Sequence, residues 1–290
     1  MGGVSDAERG PAQGGTHRWR DWSVGALIAA KAGRSVSLVV PARNEAATVG
    51  DVVSRVHDAL VDTEALLDEI VVIDSDSTDA TYEVAESAGA TVHRAADIRP
   101  DLGTVAGKGE AMWKSMFVTR GDFVVFMDAD LLDWDTHFVP GLLGPLLTQS
   151  DVQLVKGFYE RPMGSGDAAV PFEGGRVTEL VARPLIKLLF PELSWLHQPL
   201  AGEWAVRREL FESLSVPTGY AVELAALIDT ARGHGVDAIA QVDLGSRSHR
   251  HQSLRDLSGM AGQIMAAALE RAGLETQARE VERPAVQEVR

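Results

Sequence analysis

The chain has no cysteine, so disulfide staples and thiolate metal centres are excluded. Basic residues are scarce: 27 Lys+Arg stand against 42 Asp+Glu, a formal charge of −15. Such a surface disfavours duplex nucleic acid and anionic membranes, both of which need clustered cations. An anionic substrate would therefore depend on a local basic pocket. Long apolar runs are missing too, none approaching the roughly 18–20 residues that span a bilayer. The opening "MGGVSDAERGPAQGG" has no cationic stretch leading into an apolar one, so no signal peptide is expected. Its composition reads as a disordered arm through residue 15, and the polar end, 273–290, reads as a mobile tail. The lack of cysteine fits a reducing cytosol, and a cytoplasmic protein is expected.

What is present is a chain of 290 residues, 45% hydrophobic, enough for one large domain. Its first half, 16–150, alternates strand and helix signals. "SVSLVVP" (Ser35–Pro41), "EIVVID" (Glu69–Asp74), "ATVHRA" and "DFVVFMD" are strand-length apolar runs. Amphipathic stretches at Ala47–Leu60, Thr81–Ala88 and Glu110–Thr119 lie between them. Strands interleaved with helices predict an α/β fold, a mostly parallel sheet covered on both faces, with ligands beyond the carboxyl ends of its strands. The polar clusters "PARNEAA", "DSDSTDAT" and "DAD" fall at those ends. The second half, 151–272, offers a strand in "VQLVKGFYER" and helices over Val177–Phe190, Arg208–Leu214, Tyr220–Gly233 and Ser253–Ala272. It reads as an acceptor-binding half.

In "DFVVFMDADLLDWD" an apolar run ends in Asp128 and Asp130. On a strand such a pair shares one face with Cα atoms about 7 Å apart. Two charges about 5 Å apart repel by roughly 3 kcal/mol at an effective dielectric near 20. Water, a shared proton or a divalent cation would offset that, and carboxylate oxygens suit Mg2+ or Mn2+. The competing reading is a helix cap beside a solvated acid.

Four further stretches carry chemistry. In "VAGKGEAMWKSM", glycines flank Lys108 at a helix start, an arrangement that aims N–H groups and an ammonium at phosphate, although the spacing is not that of a P-loop. In "FEGGRVTEL", two glycines precede Arg176, with Thr178 beside a helix start, an anion site in prospect. "SRSHRHQ" carries His249 and His251, either of which could give a neutral imidazole to a metal. Glu223 interrupts an apolar helix face, where a carboxylate needs a partner. Each also has a plainer reading: an exposed turn lysine, a glycine-capped helix start, surface histidines, an outward-facing glutamate.

Taken together and in order, "VVPARNEAATV", "EIVVIDSDSTDAT" and "VFMDAD" resemble the nucleotide-sugar signatures of GT-A glycosyltransferases. "GKGEAMWKSM", "LVKGFYERP", "GGRVTELVARPL", "QPLAGEWAVRRELFESL", "GYAVELAALID" and "RSHRHQ" look like the glucosyl/mannosyl-3-phosphoglycerate synthase family within them. The resemblance runs from about Ser35 to Ala272 and implies a Rossmann-like GT-A sheet with a more helical acceptor half. It implies a donor pocket of Pro41, Ala42, Arg43, Glu45, Ser75, Lys108, Asp128, Ala129 and Asp130. The metal, Mg2+ or Mn2+, would be held by Asp130 and His249. Gly175, Arg176, Val177, Thr178 and Tyr220 would take 3-phosphoglycerate, and Glu223, Asp128 and Lys108 would border the reaction. It further implies a homodimer and retention of anomeric configuration, with UDP-glucose as donor, in a first step toward glucosylglycerate and methylglucose lipopolysaccharide. Arg43 departs from the smaller or apolar residue common there.

The alternatives are a GDP-mannose-dependent relative or a non-catalytic nucleotide-sugar sensor. A processive polysaccharide synthase is disfavoured by the missing membrane spans and Gln-x-x-Arg-Trp signature, and a pyrophosphorylase by the lack of an early glycine-rich basic loop.

Overall fold

The computed structural model describes residues 15–160, 175–246 and 254–290. In chain order the strands are β1 (Thr16–Arg18), β2 (Val36–Ala42), β3 (Glu69–Asp74), β4 (Thr91–Arg94), β5 (Phe123–Phe126), β6 (Leu154–Glu160), β7 (Trp204–Arg207), β8 (Val216–Pro217), β9 (Ile239–Ser246) and β10 (Glu282–Arg283). The helices are α1 (Val24–Lys31), α2 (Val49–His57), α3 (Thr81–Ser87), α4 (Lys108–Ser115), α5 (Phe138–Thr148), α6 (Arg183–Leu189), α7 (Arg208–Ser213), α8 (Val222–His234), α9 (Leu254–Arg271) and α10 (Val286–Val289).

Eight strands form one sheet in the order β1-β9-β6-β7-β5-β2-β3-β4. All its pairings are parallel except those of β7, which runs antiparallel to β5 and β6. The expected mixed, mostly parallel sheet is therefore present, and both halves of the chain share it. Side chains alternate between two cores. Leu38, Val40, Ile70, Val72 and Val125 face one, packed by α2 and α5. Val39, Val71, Ile73, Val124 and Phe126 face the other, packed by α4, α8 and α9. Apolar residues on both faces explain why these strands read as continuous runs rather than alternating ones.

From β2 the chain moves outward to β3 and β4, then returns to place β5 on the other side of β2. The connections leave in opposite directions there, which opens a crevice beyond the carboxyl ends of the strands.

Two expectations need correction. The β5 strand stops at Phe126, so Asp128 and Asp130 sit in the loop beyond it and not on one strand face. The end of the chain, expected as a mobile polar tail, is docked. β10 pairs antiparallel with β8, α10 follows, and Val286 is fully buried. The charges that made it look solvated are paired: Arg283 with Glu110, Glu282 with Arg271, Arg290 with Glu212.

Candidate active site

Two loops at the carboxyl edge of the sheet are stitched together before they reach any ligand. Asn44 sits in the left-handed region (φ 57°), which its short polar side chain tolerates. Its backbone N–H donates to Ser77 Oγ (2.9 Å), and its Oδ1 accepts from the Thr78 N–H (2.8 Å). The Glu45 N–H donates to Thr81 Oγ1 at 2.8 Å, and the Ala46 N–H to Asp79 Oδ2 at 3.2 Å. Much of "DSDSTDAT" is thus scaffold for the loop after β2. That role was not assigned from sequence, although closely spaced Asn, Asp, Ser and Thr are the residue types that make such turns.

These loops form one wall of a cleft of about 430 Å3. Pro41, Ala42, Arg43 and Glu45 enter it from the end of β2, and Ser75 from the end of β3. Lys108 enters from the first turn of α4, and Asp128, Ala129 and Asp130 from the loop after β5. Gly175, Arg176, Val177 and Thr178 line it from the opposite half, with Tyr220 and Glu223 at the start of α8. Every residue expected at the site is brought to this one cleft except His249, which, like His251, lies outside the described residues.

Lys108 is the hub. Its Nζ lies 2.7 Å from Asp128 Oδ1 and 2.7 Å from Glu223 Oε1, so one ammonium joins two carboxylates. Burial alone would lower its pKa, but the Asp128 and Glu223 charges more than offset that, and the net shift is upward. Lys108 stays charged at any physiological pH. Glu223, buried on an otherwise apolar helix face, thereby has the partner it requires.

The glycines beside Lys108 have a different job from the expected phosphate cradle. The Gly109 N–H donates to Gly219 O (3.2 Å) and the Glu110 N–H to Thr218 O (2.9 Å), so both are already engaged. A Cβ on Gly107 would fall 2.1 Å from Thr218 O, and one on Gly109 1.9 Å from Pro217 O. Glycine is present because two backbones touch.

Several lining residues had not been anticipated. Gly202, in the turn before β7, lies against Asp128, and α9 supplies Leu257, Met260, Gln263 and Ile264. Gln263 Oε1 accepts from the Tyr220 N–H at 3.0 Å and fixes the entrance to α8. Behind the cleft, buried Lys156 on β6 donates to Ala201 O at 2.5 Å. Burial pushes its pKa down to about 8, despite the nearby Glu223, Glu203 and Asp128 charges. Nothing local in the sequence marks Gly202 or Lys156; both become visible only when β6 and β7 are set beside β5.

For a metal, the cleft offers hard oxygen donors at Asp128 and Asp130, both half-buried and on one rim. That suits an octahedral cation that takes one or two carboxylates and completes its shell with phosphate and water. Among the described residues, ligand atoms already converge only at His57, Asp58 and Asp62, none of which lines the cleft.

The model of glycosyl transferase family 2 matches residues 37–214. The chain is 49% identical to a glucosyl-3-phosphoglycerate synthase of Mycolicibacterium smegmatis over 89% of this chain and 85% of that protein. It is 46% identical to that of Petrotoga mobilis over 81% of this chain and 73% of that one. Among solved structures, it is similar to the Mycobacterium tuberculosis glucosyl-3-phosphoglycerate synthase with Mn2+, UDP-glucose and phosphoglyceric acid. There the TM-score is 0.85 at 44% identity, covering 93% of this chain and 96% of that one. The same enzyme with Mn2+, UDP and glucosyl-3-phosphoglycerate superposes at TM-score 0.86 and 43% identity, covering 95% and 99%.

Proposed function

The chain belongs to glycosyl transferase family 2 and, within it, to the glucosyl-3-phosphoglycerate synthases, and from that premise we propose that it transfers glucose from UDP-glucose to the 2-hydroxyl of D-3-phosphoglycerate, releasing UDP. The observation that carries this reading is that the residues expected for the donor and those expected for the acceptor line one cleft, together with the Asp128–Lys108–Glu223 bridge. No helix of the described residues is long and apolar enough to cross a membrane.

The residues divide the work. The stitched loops carrying Ala42, Arg43, Glu45 and Ser75 take the nucleoside end of the donor. Lys108 holds a fixed positive charge beside Asp128, where the donor's diphosphate would lie. Arg176 and Thr178, at the start of the helical segment leading to α6, hold the phosphate of the acceptor, which an acidic protein must bind through a local cation. Asp130, together with His249 as the family resemblance implies, would hold a divalent cation, which would supply Lewis-acid neutralisation of the departing diphosphate. Positioning of the acceptor hydroxyl against the donor's anomeric carbon, together with charge stabilisation, provides most of the acceleration.

Retention of configuration follows best from same-face substitution. Asp128 and Glu223 are both tied to one ammonium at 2.7 Å, which lowers the nucleophilicity of each. In this reading the enzyme works in the cytoplasm as a homodimer. Leu180, Leu188, Leu254 and Met265 expose large apolar side chains on and near α6 and α9, which a second copy could cover.

The test is nucleotide release by purified protein with Mg2+ or Mn2+ and D-3-phosphoglycerate, across UDP-glucose, GDP-glucose and GDP-mannose. Acceptor-dependent UDP release that disappears in Asp130→Ala is the expected result. Release without acceptor dependence would sink the acceptor assignment, and preference for GDP-mannose would move the chain to the mannosyl branch.

A further inference from the structure

The geometry points to Arg283, at the far end of the chain, as a positioning residue for the nucleotide-sugar site, acting through Glu110 on the turn that carries Lys108. This rests on the donor reading above for its kinetic consequences, though not for its structural ones.

Glu110 lies in the first turn of α4, two residues after Lys108, and is almost completely buried. A buried carboxylate there needs a partner or it destabilises the turn. Arg283 supplies one as a fork: Nε to Glu110 Oε2 at 2.7 Å and Nη2 to Glu110 Oε1 at 2.6 Å. Its remaining donors bind Leu102 O (2.8 Å) and Gly103 O (3.2 Å), in the segment leading to the Lys108 turn. The guanidinium also lies over buried Trp113 of α4, 5.1 Å from the ring centroid, and Trp113 Nε1 donates to Pro284 O at 2.8 Å. Arg283 therefore holds α4 by its carboxylate, its tryptophan and its approach loop at once.

The same strand grips the other wall. β10 pairs with β8, and the Thr218 N–H donates to Val281 O at 2.9 Å. Thr218 O and Gly219 O accept in turn from Glu110 and Gly109. One residue back, Glu282 accepts from Arg271 of α9 at 2.7 Å, and Arg271 also binds Asp229 of α8. The tail thus lies behind the Lys108 turn and the 217–220 turn and clamps them face to face. On the acceptor side Tyr220 has a second anchor in Gln263 of α9, and the Gly175–Thr178 turn belongs to a different segment of the chain.

Loosening the clamp should misplace Lys108 while Gln263 keeps Tyr220 in place and the Gly175–Thr178 turn is untouched. Three variants test this: Arg283→Ala, Arg283→Lys and Glu110→Gln. Arg283→Lys keeps one contact to Glu110 but cannot reproduce the fork, and Glu110→Gln keeps the shape without the charge. The expected result for Arg283→Ala is a UDP-glucose KM raised tenfold or more, with the 3-phosphoglycerate KM within twofold, and partial recovery in Arg283→Lys. Hydrogen exchange read on the full chain without substrates gives a second measure. Amides of residues 107–112 should exchange faster in Arg283→Ala, and those of the Asn44–Ser77 loops should not.

Equal losses in both KM values, or an unchanged donor KM with unchanged exchange at 107–112, would overturn the assignment. If Arg283→Ala does not fold, the same donor-selective effect is required of Glu110→Gln and Arg283→Lys, and its absence there refutes the proposal. If the wild-type protein releases no nucleotide from any donor, the function fails but the exchange experiment still decides the clamp.

Discussion

Replacing Gly202 by alanine adds one methyl group, and the structure says where it must go. The new Cβ would lie 2.2 Å from Asp128 Oδ2 and 2.3 Å from Oδ1, against an ordinary contact of about 3.4 Å or more. Some group must therefore move by about 1.2 Å, the difference between 3.4 and 2.2 Å. The Gly202 backbone is poorly placed to retreat. Ala201 O accepts from Lys156 Nζ at 2.5 Å, and Glu203 O accepts from the Gly157 N–H at 2.9 Å. The Asp128 side chain is the part that can move, and moving it strains the 2.7 Å bond to Lys108. A site displaced by about 1 Å loses on the order of 100-fold in rate. Because a side chain yields rather than the core, stability should fall by less than about 1 kcal/mol, or under about 4 °C in melting temperature. The assay is acceptor-dependent UDP release beside a thermal melt, with Gly233→Ala as control, since a Cβ there meets nothing within 4 Å. A Gly202→Ala protein retaining more than a third of wild-type kcat/KM would refute the argument that this glycine exists to seat Asp128.

Three other outcomes are expected. Lys156 has a folded pKa of about 8 against an unfolded value near 10.5, so the native state resists its charge. The penalty, on the order of 3 kcal/mol, is fully present below pH 8 and fades as pH rises toward 10.5, where only the unfolded chain still holds the proton. Lys156→Met should therefore gain stability relative to wild type at pH 7 and lose that advantage by pH 10; a difference independent of pH in denaturant melts would contradict this. Asp130→Asn should raise the Mn2+ concentration needed for half-maximal turnover at least tenfold while the melting temperature without metal stays put, and an unchanged metal requirement would remove Asp130 from the ligand set. Thr178→Val should raise the acceptor KM about tenfold with the donor KM unchanged, whereas a matching donor effect would mean that Thr178 does not belong to the acceptor half-site.

The site was legible because its polar loops follow strands whose apolar runs are unmistakable. "VVPARN", "VVIDSD" and "VVFMDAD" each turn from buried strand to rim within a residue or two, as a parallel sheet requires. What stayed hidden did so for physical reasons. Helix α5 contains Pro140, Gly141, Gly144 and Pro145, a composition that reads as loop. Its glycines make room for Trp19 and Trp22, which a Cβ would strike at 3.0 and 2.3 Å. Strand β7, four residues long, is too short to display a period, and its antiparallel pairing is a property of the whole sheet. The C-terminal segment looked solvated because its charges are obvious while their partners, Glu110, Arg271 and Glu212, lie 173, 11 and 78 residues away. Sequence shows a charge readily; it does not show who neutralises it.

The stitching of the loop after β2 to the loop after β3 bears on how a nucleoside would be selected at the proposed donor site. Fixing one loop residue's backbone costs roughly 1–2 kcal/mol of entropy. Here Asn44, Ala46, Ser77, Thr78, Asp79 and Thr81 have met that cost during folding, through hydrogen bonds among themselves. A base bound at Ala42 and Ser75, as proposed above, would meet a mould already ordered by these bonds. Discrimination between bases would then rest on fit to a fixed shape rather than on which nucleotide best induces a closure. A rigid mould is also hard to retune by single substitutions within it. A change of donor would come more readily through Arg43, whose exposed side chain stands at the lip of the mould and takes no part in the stitching.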